Sequence, residues 1–200
     1  MHPNAIVLAT RNLGKIREIR SLLALPNIKI LSLIEAGFQG DLPLENADTF
    51  EGNATIKAMA VAKKCSMPAL ADDSGLCVDA LAGAPGIYSS RFAGEDANDA
   101  ANIAKLLAIL ESVPDEARTA HFICIAVLAW PNDKIVKSEG RCNGIILREK
   151  RGYNGFGYDP LFLVPHLGLT FAELPSEIKN SISHRSRALQ GLKQAVWGIK

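Results

Sequence analysis

The order of hydrophobic and polar positions along the chain predicts strands that alternate with amphipathic helices. Apolar runs of strand length lie at residues 5–10, 28–33, 118–131, 134–147 and within 151–165. Helical spacing of apolar residues occurs at 13–23, from Asp48 or Thr49 to about 66, at 98–113 and from about 175 onward. Strands interleaved with helices are typical of an α/β fold. The long neighbouring runs between 118 and 147 favour a mixed sheet over a purely parallel one.

Two segments depart from these simple patterns. In residues 68–81, PALADDSGLCVDAL, the polar group Asp72-Asp73-Ser74-Gly75 interrupts an apolar run and predicts a tight turn within a strand. Residues 131–133, Pro-Asn-Asp, separate two apolar runs and predict the turn of a β-hairpin. No linker, repeat or low-complexity tract divides the chain. Residues 1–200 are therefore predicted to form a single domain, long enough for two lobes that share a sheet.

Composition narrows the class of function. Of the 200 residues, 48% are hydrophobic and 22% charged, as in ordinary soluble proteins. A net charge of +1 gives no overall field that would attract nucleic acid or an acidic membrane, so neither is expected as a partner. No apolar run approaches the about 18 residues of a membrane span, and residues 1–4 do not resemble a secretory leader, so a cytoplasmic location is expected. The four scattered cysteines are expected to be free thiols.

The segment ATRNLGKIRE places a Gly-Lys pair between a predicted strand and a predicted helix. A Walker A loop would need a glycine and a hydroxyl where this chain has Ala9 and Ile16, so that motif is excluded. A helix N-terminus still offers free N–H groups and a positive dipole end to an anion. Thr10, Asn12 and Lys15 add donors there. A phosphate site is one interpretation, and a capped helix with an exposed lysine is the other.

Two adjacent aspartates in the segment ADDSG suggest a magnesium site. Asp72 and Asp73 follow an apolar run, where their like charges repel unless a cation is near. Mg²⁺ takes one or two carboxylates and leaves its other positions to water and phosphates. One aspartate can thus hold the ion while the other accepts a proton from the attacking water. Ser74 can donate to a phosphate oxygen. An ordinary Asp-rich turn is the alternative.

Two charged residues upstream can support the same chemistry. Glu45 lies in the loop ahead of the helix predicted from Asp48 or Thr49. Lys57 lies inside that helix among small residues, which allow a close approach to a partner. Since most helix lysines are solvated, an exposed side chain is the alternative for Lys57.

Two further motifs suggest recognition of a flat base. GFGYDP carries two aromatic rings and a carboxylate, Phe156, Tyr158 and Asp159, between residues that permit close approach. Donors that suit a carbonyl-bearing base or phosphates follow near a predicted helix start: Lys179, His184 and Arg185. The alternatives are aromatic rings that belong to the core and an ordinary His-Arg pair on the surface.

Taken in order, these motifs resemble the inosine triphosphate pyrophosphatase family. The resemblance covers about residues 5–195 and rests on the acidic loop at Glu45 and on five motifs: TRNLGKIRE, ADDSGLCVD, GAPGIYSSRF, GFGYDP and SHR. Each motif is weak alone, and the series is specific. The resemblance implies an elongated α/β fold with a long twisted mixed sheet, two lobes around a central cleft, and a homodimer. The implied activity is Mg²⁺-dependent hydrolysis of ITP, dITP or XTP to the nucleoside monophosphate and pyrophosphate.

The same resemblance implies roles for individual residues. The phosphates would be held by the segment that comprises Thr10, Arg11, Asn12, Leu13, Gly14 and Lys15. Glu45 and Asp73 would bind the metal, with Asp73 also accepting the proton of water. Asp72 would support that site, Lys57 would contact phosphate, and Ser74 would contact the substrate. The base would be surrounded by Phe156, Gly157, Tyr158, Asp159, Lys179, His184 and Arg185. Position 11, often a small residue in relatives, is Arg11 here.

Two other functions fit parts of the sequence. A Maf-like pyrophosphatase would act on pyrimidine or methylated nucleotides, but GFGYDP together with SHR belongs to the purine branch. A non-catalytic nucleotide sensor would bind without turnover, but a sensor has no need of the water-activating Asp73.

Overall fold

The structure, a computed structural model, describes residues 3–25 and 27–199. Its strands are β1 (Ala5–Leu8), β2 (Lys29–Leu31), β3 (Ala69–Val78), β4 (Thr119–Ala129), β5 (Ile135–Ile146), β6 (Phe162–Val164) and β7 (Leu169–Thr170). Its α-helices are α1 (Leu13–Leu22), α2 (Phe50–Cys65), α3 (Asp99–Ile109), α4 (Ser176–Ile182) and α5 (His184–Trp197). The elements predicted from the hydrophobic pattern are present, and β7 is an addition to them.

These strands form one sheet in the order β2-β1-β3-β4-β5-β6-β7. β1 runs parallel to β2 and to β3, with Val7 opposite Ala69 in the second pair. β6 runs antiparallel to both β5 and β7. The N–H of Trp130 donates to the carbonyl of Lys134 at 2.8 Å, which closes a short turn between β4 and β5 and makes these neighbours antiparallel. The predicted hairpin and the mixed α/β sheet are confirmed.

The described chain divides into two compact units, each with its own hydrophobic core. Unit 1 comprises the described residues of 1–73, 124–140 and 184–200, and unit 2 comprises 74–123 and 141–183. Aliphatic side chains from β1, β3, β4, α1 and α5 build the core of unit 1. Three contacting rings lie in the core of unit 2: Phe122, Phe162 and Phe171. Burial of each such side chain contributes about 1.5–3 kcal/mol, so each unit has a substantial core.

The helix start predicted at Asn12 is confirmed, and of the two starts predicted for the next helix, Asp48 or Thr49, the structure has Thr49. The side chain of Asn12 accepts a hydrogen bond from the N–H of Lys15 at 3.0 Å, and Thr49 accepts from the N–H of Gly52 at 3.0 Å. Each side chain thus satisfies an N–H group that has no partner within the helix, the usual role of an N-cap. Asn98 caps α3 in the same way.

The turn predicted at Asp72-Asp73-Ser74-Gly75 is wrong, because these residues lie inside β3, which continues to Val78. Their residue types favour a turn, but tertiary contacts override local preference in strands. Here the contacts are ionic, and they involve both aspartates.

The helical stretch predicted from about residue 175 is interrupted once. Ser183 separates α4 from α5 with an extended backbone, φ −67° and ψ 158°. This places Ser183 directly before α5 and fixes where the following His184 and Arg185 enter the helix.

None of the helices in the described ranges combines the length and apolar character needed to cross a bilayer. Residues 1 and 2, part of the stretch considered as a leader, lie outside the described residues. The cysteines are free thiols; Cys124 and Cys142 are buried, and Cys65 and Cys77 are partly exposed.

Candidate functional site

Unit 1 places a buried lysine between acidic side chains. Lys57, in α2, donates to Glu45 Oε1 at 2.8 Å, to Asp73 Oδ1 at 3.4 Å and to the carbonyl of Asp72 at 3.1 Å. Burial acts to lower the pKa of Lys57, but the carboxylates of Asp73 and Glu45 outweigh it, so the pKa is raised. Lys57 therefore stays charged, and the alternative of a solvated helix lysine is wrong.

Asp72 is buried yet stays ionised because cations contact it. Lys15, from α1, lies 3.2 Å from its Oδ2, and Arg185, from α5, donates to the same oxygen at 3.0 and 3.2 Å. The thiol of Cys124 lies 3.9 Å from that oxygen. Burial acts to raise the pKa of Asp72, but the charges of Lys15 and Arg185 hold it well below its usual range.

Neighbouring residues of a strand point to opposite faces of the sheet, which separates the two adjacent acids. Asp72 meets side chains from α1 and α5, whereas Asp73 meets Lys57 of α2. Each carboxylate has its own cationic partners on its own face. This is the physical reason why Asp72 and Asp73 occupy a strand and not the predicted turn.

Asp73 and Glu45 form a donor set that suits magnesium. The Oδ2 atom of Asp73 is buried and has no hydrogen-bond partner within residues 3–25 and 27–199. Burial raises the pKa of this carboxyl even though Lys57 opposes the shift. Mg²⁺ binds one or two carboxylates together with water and phosphate oxygens, and these two carboxylates fit that description. The described residues contain no group of three or more His, Cys, Asp or Glu side chains arranged to hold a metal.

The predicted phosphate segment is ordered around the start of α1. The hydroxyl of Thr10 accepts from the N–H of Asn12 at 3.2 Å. The side chain of Lys15 is only 15% exposed and is turned toward Asp72. The alternative of an exposed, solvated lysine at this position is therefore wrong.

Three other members of the segment have no direct contact with Asp72 among the described hydrogen bonds and ion pairs: Arg11, Leu13 and Gly14. Leu13 is largely exposed at the first position of α1, and Gly14 follows it. Arg11 donates to the carbonyl of Gly40 at 2.6 Å and lies 3.7 Å from Asp41. In this structure Arg11 serves a loop of unit 1 and not the cluster around Asp72.

Unit 2 brings together the GFGYDP motif and the predicted lysine. Asp159 accepts from Lys179 at 2.7 Å and from the N–H of Phe156 at 3.0 Å, and the ammonium of Lys179 lies 5.2 Å from the centre of the Phe156 ring. Tyr158 is buried in the core, where its hydroxyl donates to the carbonyl of Ser89 at 2.9 Å. Tyr158 therefore fits the core interpretation, and Phe156 is the candidate for stacking on a base.

The backbone of this motif has a further anchor. The N–H of Gly157 donates to Asp99 at 2.7 Å, which ties the loop to the first residue of α3. Ser74, the remaining predicted substrate contact of unit 2, follows Asp73 in β3 and is half-buried.

The SHR motif belongs to unit 1, whereas GFGYDP and Lys179 belong to unit 2. His184 and Arg185 open α5 and are both buried, so the alternative of a surface His-Arg pair is wrong. The guanidinium of Arg185 is held by Asp72 and by Glu18 of α1. The contact of His184 and Arg185 with a base, implied by the family resemblance, stays a prediction.

Residues outside the sequence-based predictions complete these networks. Glu18 lies three residues after Lys15 on α1, a spacing that places both on one helix face and could have identified it. Asn53 accepts from the N–H of Ala47 at 3.0 Å and so ties the chain beyond Glu45 to α2. Cys124 and Asp99 gave no local signal, because their partners are distant in sequence.

Comparison with known proteins agrees with this picture. The model of the Ham1 family matches residues 6–195. A dITP/XTP pyrophosphatase from Desulforamulus reducens is 54% identical over 186 residues, which cover 92% of each chain. A dITP/XTP pyrophosphatase from Geobacter sulfurreducens is 53% identical over 190 residues, which cover 94% of each chain.

Solved structures give the same result. A HAM1 protein from Coxiella burnetii superposes with a TM-score of 0.88 at 44% identity, covering all of both chains. The Staphylococcus aureus Ham1 protein has a TM-score of 0.86 at 41% identity and covers 98% of this chain and 100% of its own. These matches confirm the α/β fold and the family resemblance seen in the motifs. From its motifs, its fold and its full-length relatives, this chain belongs to the Ham1 family.

Proposed function

We propose that this chain hydrolyses non-standard purine nucleoside triphosphates, namely dITP, XTP and ITP, to the nucleoside monophosphate and pyrophosphate. The observation that carries the proposal is the buried ionic cluster of unit 1, where Lys15 and Lys57 lie beside Asp72 and Asp73. Relatives about half identical to this chain are named dITP/XTP pyrophosphatases. The names of these relatives and the ionic cluster together favour hydrolysis over a binding-only role.

Lys15 and Lys57 bind the triphosphate, together with the N–H groups at the start of α1. Cleavage between the α- and β-phosphates makes pyrophosphate the leaving group, and its developing negative charge must be stabilised by positive charge. Lys15 is held in place by Asp72, which Arg185 holds in turn. Preorganised charges of this kind need no rearrangement as the reaction proceeds.

Asp73 accepts the proton of the attacking water. Burial raises its pKa, and a carboxylate with a raised pKa is a stronger base than an ordinary aspartate. Glu45 and Asp73 are the residues that hold magnesium, since the unsatisfied Oδ2 of Asp73 is available as a ligand. When bound, magnesium supplies positive charge for the phosphates and the leaving pyrophosphate.

Base selection falls to Phe156, Asp159, Lys179, His184 and Arg185. Hypoxanthine and xanthine carry a 6-oxo group where adenine has an amine. Hydrogen-bond donors such as Lys179 and His184 therefore favour hypoxanthine and xanthine over adenine. A wrong base leaves buried polar groups unpaired, which is a strong basis for rejection. This part of the proposal includes the expectation that residues 1–200 form a single domain.

We also propose that the enzyme acts as a cytoplasmic homodimer on free nucleotides, without nucleic acid or membrane partners. Support comes from the family resemblance and from a net charge of only +1. Light scattering on the purified protein measures the assembly, and a mass equal to that of one chain would refute the dimer.

A nucleotide panel tests the activity directly. Pyrophosphate release with Mg²⁺ is expected to be much faster from ITP, dITP and XTP than from ATP or GTP. Equal rates on all five would contradict the proposal. Faster release from dTTP, UTP or 5-methyl-UTP would favour the Maf-like alternative, and tight ITP binding without release would favour the sensor.

A further inference from the structure

Strand β5 and helix α5 approach each other at Gly140 more closely than a side chain would allow. A Cβ atom at Gly140 would lie 2.1 Å from the carbonyl oxygen of His184 and 2.4 Å from the nitrogen of Ala188. The φ angle of Gly140 lies outside the left-handed region, so its backbone conformation does not require glycine. The missing side chain serves the close approach alone.

The close approach continues along the same faces of both elements. Ser138 and Gly140 are two residues apart and so share one face of β5. A Cβ atom at Gly191 of α5 would lie 2.1 Å from Ser138 Oγ. The contact of Ser138 and Gly140 with His184, Ala188 and Gly191 is termed the β5–α5 seam. One glycine from each element brings the helix and the strand together.

The seam bears on the side chain that holds Asp72. Arg185 follows His184 in the first turn of α5 and donates to Asp72 at 3.0 and 3.2 Å. Because β5 is hydrogen-bonded to β4 in the sheet, a side chain at position 140 displaces the helix start and not the strand. Ordinary Cβ contacts begin at 3.4 Å, so the displacement is about 1 Å.

We propose that Gly140 is a positioning residue for the buried ionic cluster around Asp72, to which the triphosphate is proposed to bind. By letting α5 lie directly against β5, it holds Arg185 on Asp72, and through Asp72 it holds Lys15. A displacement of about 1 Å in such a constellation costs about 100-fold in rate. The kinetic consequence rests on the proposed function, whereas the structural consequence does not.

Two alanine variants of the same strand separate positioning from general destabilisation. Gly140→Ala is compared with Gly144→Ala, whose Cβ would lie 2.5 Å from the carbonyl oxygen of Leu163 in unit 2. Both variants are expected to unfold at a lower temperature. Measured on folded protein with the substrate that the wild type cleaves fastest, kcat/KM is expected to fall about 10- to 100-fold in Gly140→Ala and less than 3-fold in Gly144→Ala.

A second readout does not depend on activity. The Nε–H of Arg185, bonded to Asp72, gives a ¹⁵N-resolved NMR signal that is assigned by its loss in Arg185→Lys. In Gly140→Ala this signal is expected to shift and to exchange faster with water, whereas in Gly144→Ala it is expected to stay unchanged. Equal signals and equal kcat/KM in the two variants would overturn the proposal. If the wild type releases no pyrophosphate, the proposed function fails while the NMR comparison still decides the role of Gly140.

If Gly140→Ala does not fold, the other end of the seam provides the test. A Cβ atom at position 191 would meet only the Ser138 side chain, with Cβ at 3.3 Å and Oγ at 2.1 Å. Since the Oγ atom can rotate away, a smaller loss of about 3-fold in kcat/KM is expected for Gly191→Ala. Adding Ser138→Ala removes that atom and is expected to restore both the rate and the Arg185 signal. A loss that Ser138→Ala does not reverse would contradict the proposal.

Discussion

Asp72 and Asp73 show how position shifts the pKa values of identical side chains in opposite directions. Both are buried, which by itself favours the neutral form. Asp72 has direct contacts with Lys15 and Arg185, and its pKa is lowered. Asp73 contacts Lys57, a cation that also contacts Glu45, and its pKa is raised. Asp72 is thereby a fixed charge, and Asp73 is the residue that we propose as the proton acceptor.

Replacement of Asp73 tests this assignment. Asp73→Asn keeps the shape of the side chain but cannot accept the proton of water, so kcat is expected to fall by about 10²–10⁴-fold while ITP binding, followed by calorimetry, persists. Asp79→Asn is the matched control, since Asp79 lies just after β3 and accepts a hydrogen bond from Thr119. Full activity in Asp73→Asn would refute the role of Asp73 as the base.

In unit 2, the protonation of Glu173 is expected to make the stability of the fold depend on pH. The N–H of Thr170, at 2.8 Å, and the guanidinium of Arg151, at 3.1 Å, lower the pKa of Glu173 below its usual 4.5. The ionised form is therefore favoured by folding, so its stabilising effect is complete above pH 4.5 and is lost as the pH falls through the lowered value. The free energy of unfolding of Glu173→Gln is expected to be below that of the wild type at pH 7, with the gap closing toward pH 3.

The control for this titration is the double variant with Arg151→Met. Removing the guanidinium of Arg151 takes away part of the pKa shift of Glu173. In that background, the pH-dependent part of the loss in unfolding free energy caused by Glu173→Gln is therefore expected to be smaller. If the difference in unfolding free energy between the wild type and Glu173→Gln does not change with pH, the lowered pKa of Glu173 is contradicted.

At the scale of the elements, α3 and β5 are tied by one buried cation. Arg118 donates to the carbonyls of Leu110, Ile146 and Leu147 at 2.6, 2.8 and 3.1 Å, and so joins the end of α3 to the end of β5. A buried carbonyl without a partner is costly, so each of these bonds matters for stability. Burial lowers the pKa of Arg118, and the positive charge of Arg148 adds to this shift while Asp115 opposes it.

Arg118→Met is expected to lower the free energy of unfolding by about 2–4 kcal/mol in urea titrations, because the carbonyls lose their donor inside the protein. Arg148→Met is the matched control. Arg148 also donates to carbonyls, those of Glu111 and Val113, but its side chain is half exposed, so a loss of less than about 1 kcal/mol is expected. Equal losses in both variants would contradict the role given to Arg118.

At the scale of the molecule, the fold was largely predictable from hydrophobic periodicity. The β4–β5 hairpin and the caps at Asn12 and Thr49 have local signals, since turn and capping residues lie beside the elements that they end. No local signal in the sequence predicts that β3 continues through Asp72 and Asp73. Its stability depends on Lys15, Lys57 and Arg185, which come from three helices.

The candidate site was predictable in its residues more than in its connections. A motif contains Asp72 and Asp73, and Lys57 was a candidate from its place in a predicted helix. No local pattern shows that Asp72 holds Arg185, because 113 positions separate them in the sequence. Likewise, spacing alone does not divide the predicted residues between two units. The pairing of distant charges becomes visible only with the packing of α1 and α5.

Because β3 is continuous through both aspartates, an insertion in this strand is tolerated only if it has an even number of residues. Insertion of one residue between Ala69 and Asp72 would turn each aspartate to the other face, so that Asp72 would meet the surroundings of Asp73 and the reverse. Insertion of two residues would return each aspartate to its original face of the sheet. Natural length variation in this strand is therefore expected in even steps, even though the two acids are the same amino acid and stand side by side.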